Sequence, residues 1–286
     1  MSTLDLRPLA LGEILDRTFT LYRGYFVLFL GISAIPRSLL LLLNVAQTFL
    51  LIPLGFGGIG PRAPAPTEAM MRGLMAFMAL ASLSFIVGLL VILLTQGATV
   101  IAVSELYLGR TITIADSFRR VRGELGTLLG LLILSGLAII AGCIFLIIPG
   151  IYLMCRLLVG VPAALAEKLG PTEAFERSFS LTSNNAGRAF VILLLYFAIF
   201  MGAALLFVVP FDIGMFASRG NPSMTMFWTA MVQVGGFAAS VFVTPILTIA
   251  SAVFYYDLRV RKEAFDLQML MSPLSAPASG SVPTVS

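Results

Sequence analysis

Arg37 stands directly behind Pro36 in the middle of the first long apolar run of this 286-residue chain. An arginine at that depth in a membrane helix costs about 2.5–3.5 kcal/mol on insertion scales, so something must satisfy it. One reading has Arg37 face a cavity and bind an anionic headgroup or substrate, with Arg156 as a second such position. The other has Pro36 break the run, so that the guanidinium takes a freed carbonyl or reaches an interface. A second charged set recurs at regular places: Glu105, Glu167 and Asp257 each follow an apolar run. A carboxylate at a helix C-terminus opposes the macrodipole, so each needs a cationic partner, with Arg17 or Arg177 as candidates. The three acids read as a structural salt-bridge collar in preference to a cation or proton site.

The chain has no histidine, which removes imidazole as base, proton shuttle or metal ligand. Cys143 and Cys155 flank Pro149-Gly150 within apolar sequence and read as buried free thiols, too few for a metal centre. Paired acids or a nucleophile deep in the apolar runs are missing, so no catalytic residue, metal or cofactor is assigned and the chain reads as non-enzymatic.

The elements that position the charged residues come in threes. Residues 13–21 (Glu-Ile-Leu-Asp-Arg-Thr-Phe-Thr-Leu) overlay residues 173–181 (Glu-Ala-Phe-Glu-Arg-Ser-Phe-Ser-Leu), and a weaker third copy occupies 113–120. Each copy precedes two apolar runs, which gives three modules at about 9–105, 111–167 and 172–257, each an amphipathic segment followed by a helical hairpin. The spacing is helical: Leu11, Leu15, Phe19 and Tyr22 share a stripe, as do Phe175 and Phe179, with acids and arginines opposite. Such a helix lies at the membrane surface, or serves as an elbow packed against the bundle. Arg17, Phe19, Arg119, Arg120, Arg122, Phe175, Arg177 and Phe179 are the expected lipid-contact residues. An anionic leaflet adds roughly 1 kcal/mol per nearby basic side chain.

Composition decides the class. Hydrophobic residues make up 59 % of the chain and charged ones 11 %, against roughly 45–50 % and about 25 % in soluble domains. Six runs are long enough to cross a bilayer, at about 25–54, 74–104, 125–148, 151–166, 189–211 and 226–256. The expected fold is therefore all-α and polytopic, with Pro149-Gly150 turning the third run into the fourth and a polar connection at 212–225. All basic residues but Lys168 and Lys262 are arginines, which suits lipid phosphates but equally follows from codon bias. Their placement implies orientation: Arg7, Arg17, Arg23, Arg110, Arg119, Arg120, Arg122, Lys168, Arg177, Arg188, Arg259, Arg261 and Lys262 fall on one side, and Arg62, Arg72 and Arg219 on the other. Both termini are then cytoplasmic, and the net charge of +4 needs no nucleic acid to explain it.

The remaining patterns read as structural. Residues 1–24 lack the order of a secretory signal, and the Ser/Pro/Ala-rich tail at 272–286 reads as disordered. Gly55, Gly57, Gly58 and Gly60 follow no strand and read as a flexible connector. Gly126-x-x-x-Gly130 and Gly236-x-x-x-Ser240 permit close helix approach, while Pro162, Pro210 and Pro245 mark kinks.

Several stretches together resemble a known family: residues 12–17 (Gly-Glu-Ile-Leu-Asp-Arg) with Leu21-Tyr22-Arg23, then Ile148-Pro149-Gly150-Ile151-Tyr152 with Arg156, Glu167 and Gly170-Pro171, and finally residues 255–261 (Tyr-Tyr-Asp-Leu-Arg-Val-Arg). They are similar to the bacterial membrane domain that accompanies some glycerophosphodiester phosphodiesterases, and to the related YciC-type inner-membrane proteins. The resemblance, spread over about 9–267, implies a six-span inner-membrane protein of undefined role. The phosphodiesterase chemistry of that family resides in a separate soluble barrel with histidines and metal-binding carboxylates, so no catalytic residue is carried over. The expected role is a membrane scaffold or lipid-associated partner of another membrane protein. The alternative is a transporter or lipid-handling protein with an anion or headgroup site near Arg37.

Overall fold

The structure is a computed structural model that describes residues 9–51, 68–218 and 221–271. Arg7, Arg62, Arg219, the glycine connector and the tail lie outside the described residues. The described chain is all-helical, and six segments are long and apolar enough to cross a membrane: Phe26–Phe49, Met71–Tyr107, Ile114–Phe145, Ile147–Glu167, Ala186–Phe207 and Ser223–Glu263.

The helices run in the order α1 (Leu11–Gly24), α2 (Phe26–Leu51), α3 (Glu68–Tyr107), α4 (Ile114–Val121), α5 (Leu125–Phe145), α6 (Ile147–Leu157), α7 (Gly160–Glu167), α8 (Pro171–Thr182), α9 (Ala186–Phe207), α10 (Val209–Ala217) and α11 (Pro222–Met271). Each repeated segment is a helix of its own. α1 breaks from α2 at Tyr25, α4 passes into α5 through a 3₁₀ turn at Arg122–Glu124, and α8 is cut from α9 at Asn184, whose φ is 64°. α2 packs on α3, α5 on α6 and α9 on α11. α11 is the hub, touching α1, α2, α3, α7, α8, α9 and α10.

The close-packed core lies toward the end where α3, α7 and α11 finish. Ile14, Phe29, Ile32, Val103, Val121, Leu181, Ile249, Phe254, Tyr255 and Leu258 are all sealed there. The far end of the α5–α6 hairpin is bare by comparison, with Ile144 to Ile148 all exposed and Phe145 reaching 85 %. A continuous apolar surface of this kind is stable only against lipid or protein.

Several local expectations are corrected. The turn between α5 and α6 falls on Leu146, in extended backbone at φ −168° and ψ 147°, and not on Pro149-Gly150. Pro149 sits in the first turn of α6, where its missing N–H would have had no helical partner anyway. Gly150 instead permits backbone contact, because a Cβ there would overlap the Cys143 sulfur. Cys155 is buried but Cys143 is exposed, since it sits at the bare tip of the hairpin. Pro162 coincides with an interruption at Leu158–Val159 between α6 and α7, because its ring excludes the Leu158 carbonyl. α2 and α11 run on through Pro36 and Pro245. Pro210 begins a short helix, α10, where a polar connection was expected from Asp212.

The small-residue patterns are half right. Gly130 closes on Pro171 of α8, where an added Cβ would lie 2.7 Å from Cγ, but Gly126 faces open space. Gly236 also faces open space; its neighbour Gly235 lies against the Phe207 carbonyl, with no room for a Cβ. Spacing alone cannot say which face of a helix meets its neighbour.

Candidate functional site

The first turns of α1, α4 and α8 are built alike. The acid at the third helical position takes back an N-terminal group: the Ala10 N–H donates to Glu13 Oε2 at 2.7 Å, and the Gly170 N–H to Glu173 Oε2 at 3.1 Å. In α4 the Thr113 hydroxyl donates to Asp116 Oδ2 at 2.7 Å while accepting from the Asp116 N–H at 3.2 Å. These bonds satisfy donors that a helix start leaves unpaired. One turn beyond each acid stands an arginine: Arg17, Arg120 and Arg177.

Two of these arginines reach the acid that ends the preceding hairpin. Arg120 meets Glu105 at the end of α3 at 2.6 Å, and Arg177 meets both oxygens of Glu167 at the end of α7 at 2.9 and 3.0 Å. Burial weakens the charged form of Arg177, but its bonds to Glu167 and Glu263 outweigh this and hold its pKa above the ordinary guanidinium value. Arg17 departs from the pattern and lies beside the Tyr107 hydroxyl. Asp257, the third acid, is held by Arg188 at 2.8 Å and Arg261 at 3.0 Å, and accepts from the Leu9 N–H at 2.7 Å.

Tyrosines of α11 link it to the ends of α7 and α3. The Tyr255 hydroxyl donates to Glu167 at 2.8 Å, and Tyr256 bonds Ser104 at 2.8 Å while stacking on Tyr107. Arg259 bridges to Glu263 at 2.8 Å. Of the collar's further participants, Arg259, Arg261 and Glu263 carried a readable signal, since 257/261 and 259/263 are opposite charges four apart on a helix, while Arg188 carried none. The Leu9 N–H and Tyr255 carried none.

The buried faces of α1 and α8 differ in detail from expectation. The deepest residues of α1 are Ile14, Thr18 and Leu21, and those of α8 are Ala174, Ser178, Leu181 and Thr182. Leu11, Leu15, Phe19 and Tyr22 are half-buried beside that line, because α1 is enclosed by α11 and α2 and does not merely rest on a surface. Phe175 and Phe179 are half-buried and stacked on each other at 5.1 Å. Arg119, 78 % exposed at the side chain, pairs with Asp116 at 2.7 Å. Arg23 and Arg122 are exposed.

Arg156 clamps α6 to α8. It donates to the Phe179 carbonyl at 2.7 Å and to the Tyr152 hydroxyl at 2.9 Å, and lies over the Phe179 ring at 4.8 Å. Its own carbonyl accepts from Ser178 at 2.7 Å and Thr182 at 3.1 Å. Arg37 donates to the Ser33 carbonyl of its own helix at 3.3 Å. It lines neither the cavity of about 250 Å³ between α3, α5, α6, α7 and α11 nor the smaller cleft between α1, α9 and α11. Among the described residues, no cluster of three or more His, Cys, Asp or Glu could hold a metal ion.

Compared with protein-family models, curated proteins and solved structures, the chain matches none.

Proposed function

We propose that this chain is a non-enzymatic, multi-pass protein of the bacterial inner membrane, with both termini cytoplasmic, that works as a scaffold or lipid-associated partner of another membrane protein. Its plan is three modules, each a wedge helix (α1, α4 or α8) followed by a hairpin, with the wedges lying along the inner leaflet. The observation that carries this is the back-pairing of Arg120 with Glu105 and Arg177 with Glu167, which ties the second and third wedges, α4 and α8, to the hairpin before each. A device that moves between states would need such ties to break. The exposed Arg23, Arg119 and Arg122 supply cations for anionic headgroups at the same face. The bond from Arg37 to its own helix favours a structural arginine over the transport reading.

Native mass spectrometry of the purified protein with phosphatidylglycerol and phosphatidylcholine tests the lipid part. Wild type retains the anionic lipid preferentially, and Arg119→Glu with Arg122→Glu reduces that retention several-fold. Equal retention of both lipids by wild type would refute it.

A further inference from the structure

Gln96 lies within the third helix, α3, nine residues before Glu105. At 1.5 Å of rise per residue that places it roughly 14 Å along the helix from the acid collar, about half the thickness of a hydrocarbon core. It lines the cavity of about 250 Å³ together with leucines of α3, α5, α6 and α11. The other polar side chains on that wall are occupied within their own helices. Ser135 donates to the Leu131 carbonyl at 2.6 Å, Thr248 to the Thr244 carbonyl at 3.4 Å and Ser251 to the Thr248 carbonyl at 2.9 Å. Gln96 alone among them makes no hydrogen bond within the described residues, and its amide meets the cavity half-buried.

An amide with two donors and an acceptor is costly to leave bare in an apolar setting. The Ser135, Thr248 and Ser251 hydroxyls have given their protons to backbone carbonyls, so none of them donates to the Gln96 amide oxygen, and the rest of the wall is apolar. The cavity has more room than the 150 Å³ that accepts benzene in an engineered core. Met154, on its wall, is 43 % exposed on the apolar flank of α6. The α6–α7 interruption at Leu158–Val159 forms one wall, with Gly160 leaving it without a side chain.

We propose that this cavity is a binding site for a neutral, membrane-dissolved molecule with one apolar chain and a single hydrogen-bonding oxygen, the chain lying among Leu128, Leu132 and Leu157 and the oxygen meeting the Gln96 amide. A charged headgroup does not fit, since no cationic or anionic side chain lines the wall. The site is separate from Arg37 and from the acid collar.

The probe is a diazirine-bearing twelve-carbon alcohol, with the corresponding diazirine-bearing alkane, which lacks the oxygen, for comparison, added to full-length protein in phosphatidylcholine nanodiscs. Photolabel is mapped by peptide mass spectrometry. Wild type takes saturable label on the α3, α5 and α11 segments that line the cavity, and unlabelled dodecanol competes it away. Gln96→Leu, close in size and able to fold in the same place, lowers saturable labelling by the alcohol about fivefold to tenfold while barely changing labelling by the alkane. Ser135→Trp, which fills the cavity, abolishes saturable labelling by both, and Leu132→Trp does the same if the first variant is not recovered. Label spread evenly over the lipid-facing helices without saturation, or alcohol labelling unchanged in Gln96→Leu, would overturn the assignment.

Discussion

The backbone of Leu9 grips Asp257 from 248 residues away: its N–H donates to Oδ1 at 2.7 Å, and its carbonyl accepts from Arg188 and Arg261, the same two arginines that hold Oδ2. The entry to α1 is thereby fixed to the last long helix. The Asp257 side chain is fully buried and Arg188 is 22 % exposed. Removing one member of a buried pair leaves the other charge unpaired, at a cost of about 3–5 kcal/mol.

Asp257→Ala is therefore expected to destabilise the protein by about 3 kcal/mol, and Asp257→Asn by less, because the amide oxygen can still accept from Leu9. Thermal unfolding of the detergent-solubilised protein measures both. Equal losses would mean that the Leu9 bond contributes nothing.

The pairs at the charged end should differ in strength according to exposure. Arg177 and Glu167 are 29 % and 19 % exposed, and Arg119 and Asp116 are 78 % and 37 %. Double-mutant cycles with Arg177→Met and Glu167→Gln are expected to give a coupling above about 1 kcal/mol, and the Arg119–Asp116 cycle a much smaller one. The reverse order would contradict the reading of the inner pair as a tie.

Two adjacent glycines in α11 make a sharper contrast. A Cβ on Gly235 would overlap the Phe207 carbonyl, whereas one on Gly236 meets nothing within 4 Å. Gly235→Ala should cost about 1–3 kcal/mol through displacement of α9, while Gly236→Ala should be neutral or slightly stabilising. Unfolding midpoints of the two single variants decide the matter.

Arg37→Leu removes a guanidinium whose bond is to its own helix. Stability should hold or rise, by up to the roughly 2.5–3.5 kcal/mol insertion cost, and retention of phosphatidylglycerol should not change. A loss of anionic lipid in this variant would restore the headgroup reading of Arg37.

Much of this arrangement was legible in the sequence, for physical reasons. The six apolar segments and the separate short helices followed from periodicity and from the repeat of Glu13 and Arg17 in Glu173 and Arg177. Helix geometry puts an acid and an arginine four apart on one face, and that spacing sets the cap in all three copies and the tie in the second and third. The partner of each acid was harder to read. Glu167 takes Arg177 as anticipated, but Arg17 turns to Tyr107, because Asp257 is already filled by Arg188, Arg261 and the Leu9 N–H. A backbone donor leaves no mark in composition or spacing. Gly235 was missed in favour of Gly236 because neighbouring positions on a helix differ by about 100° in direction, and only the packed neighbour tells them apart. The hairpin turn moved to Leu146 because a proline fits the first turn of a helix as well as it ends one.

The placement of the three wedges on one face of the membrane is tested most directly by single cysteines at Asp16, Arg119 and Glu176, all exposed, in a background with Cys143 and Cys155 replaced by alanine. A fourth cysteine at the exposed Arg72 serves as the opposite marker. A membrane-impermeant maleimide should label positions 16, 119 and 176 in inverted vesicles and not in right-side-out ones, with position 72 showing the opposite pattern. Any one of the three labelled from the same side as position 72 would contradict the proposed plan of three wedges on the inner leaflet.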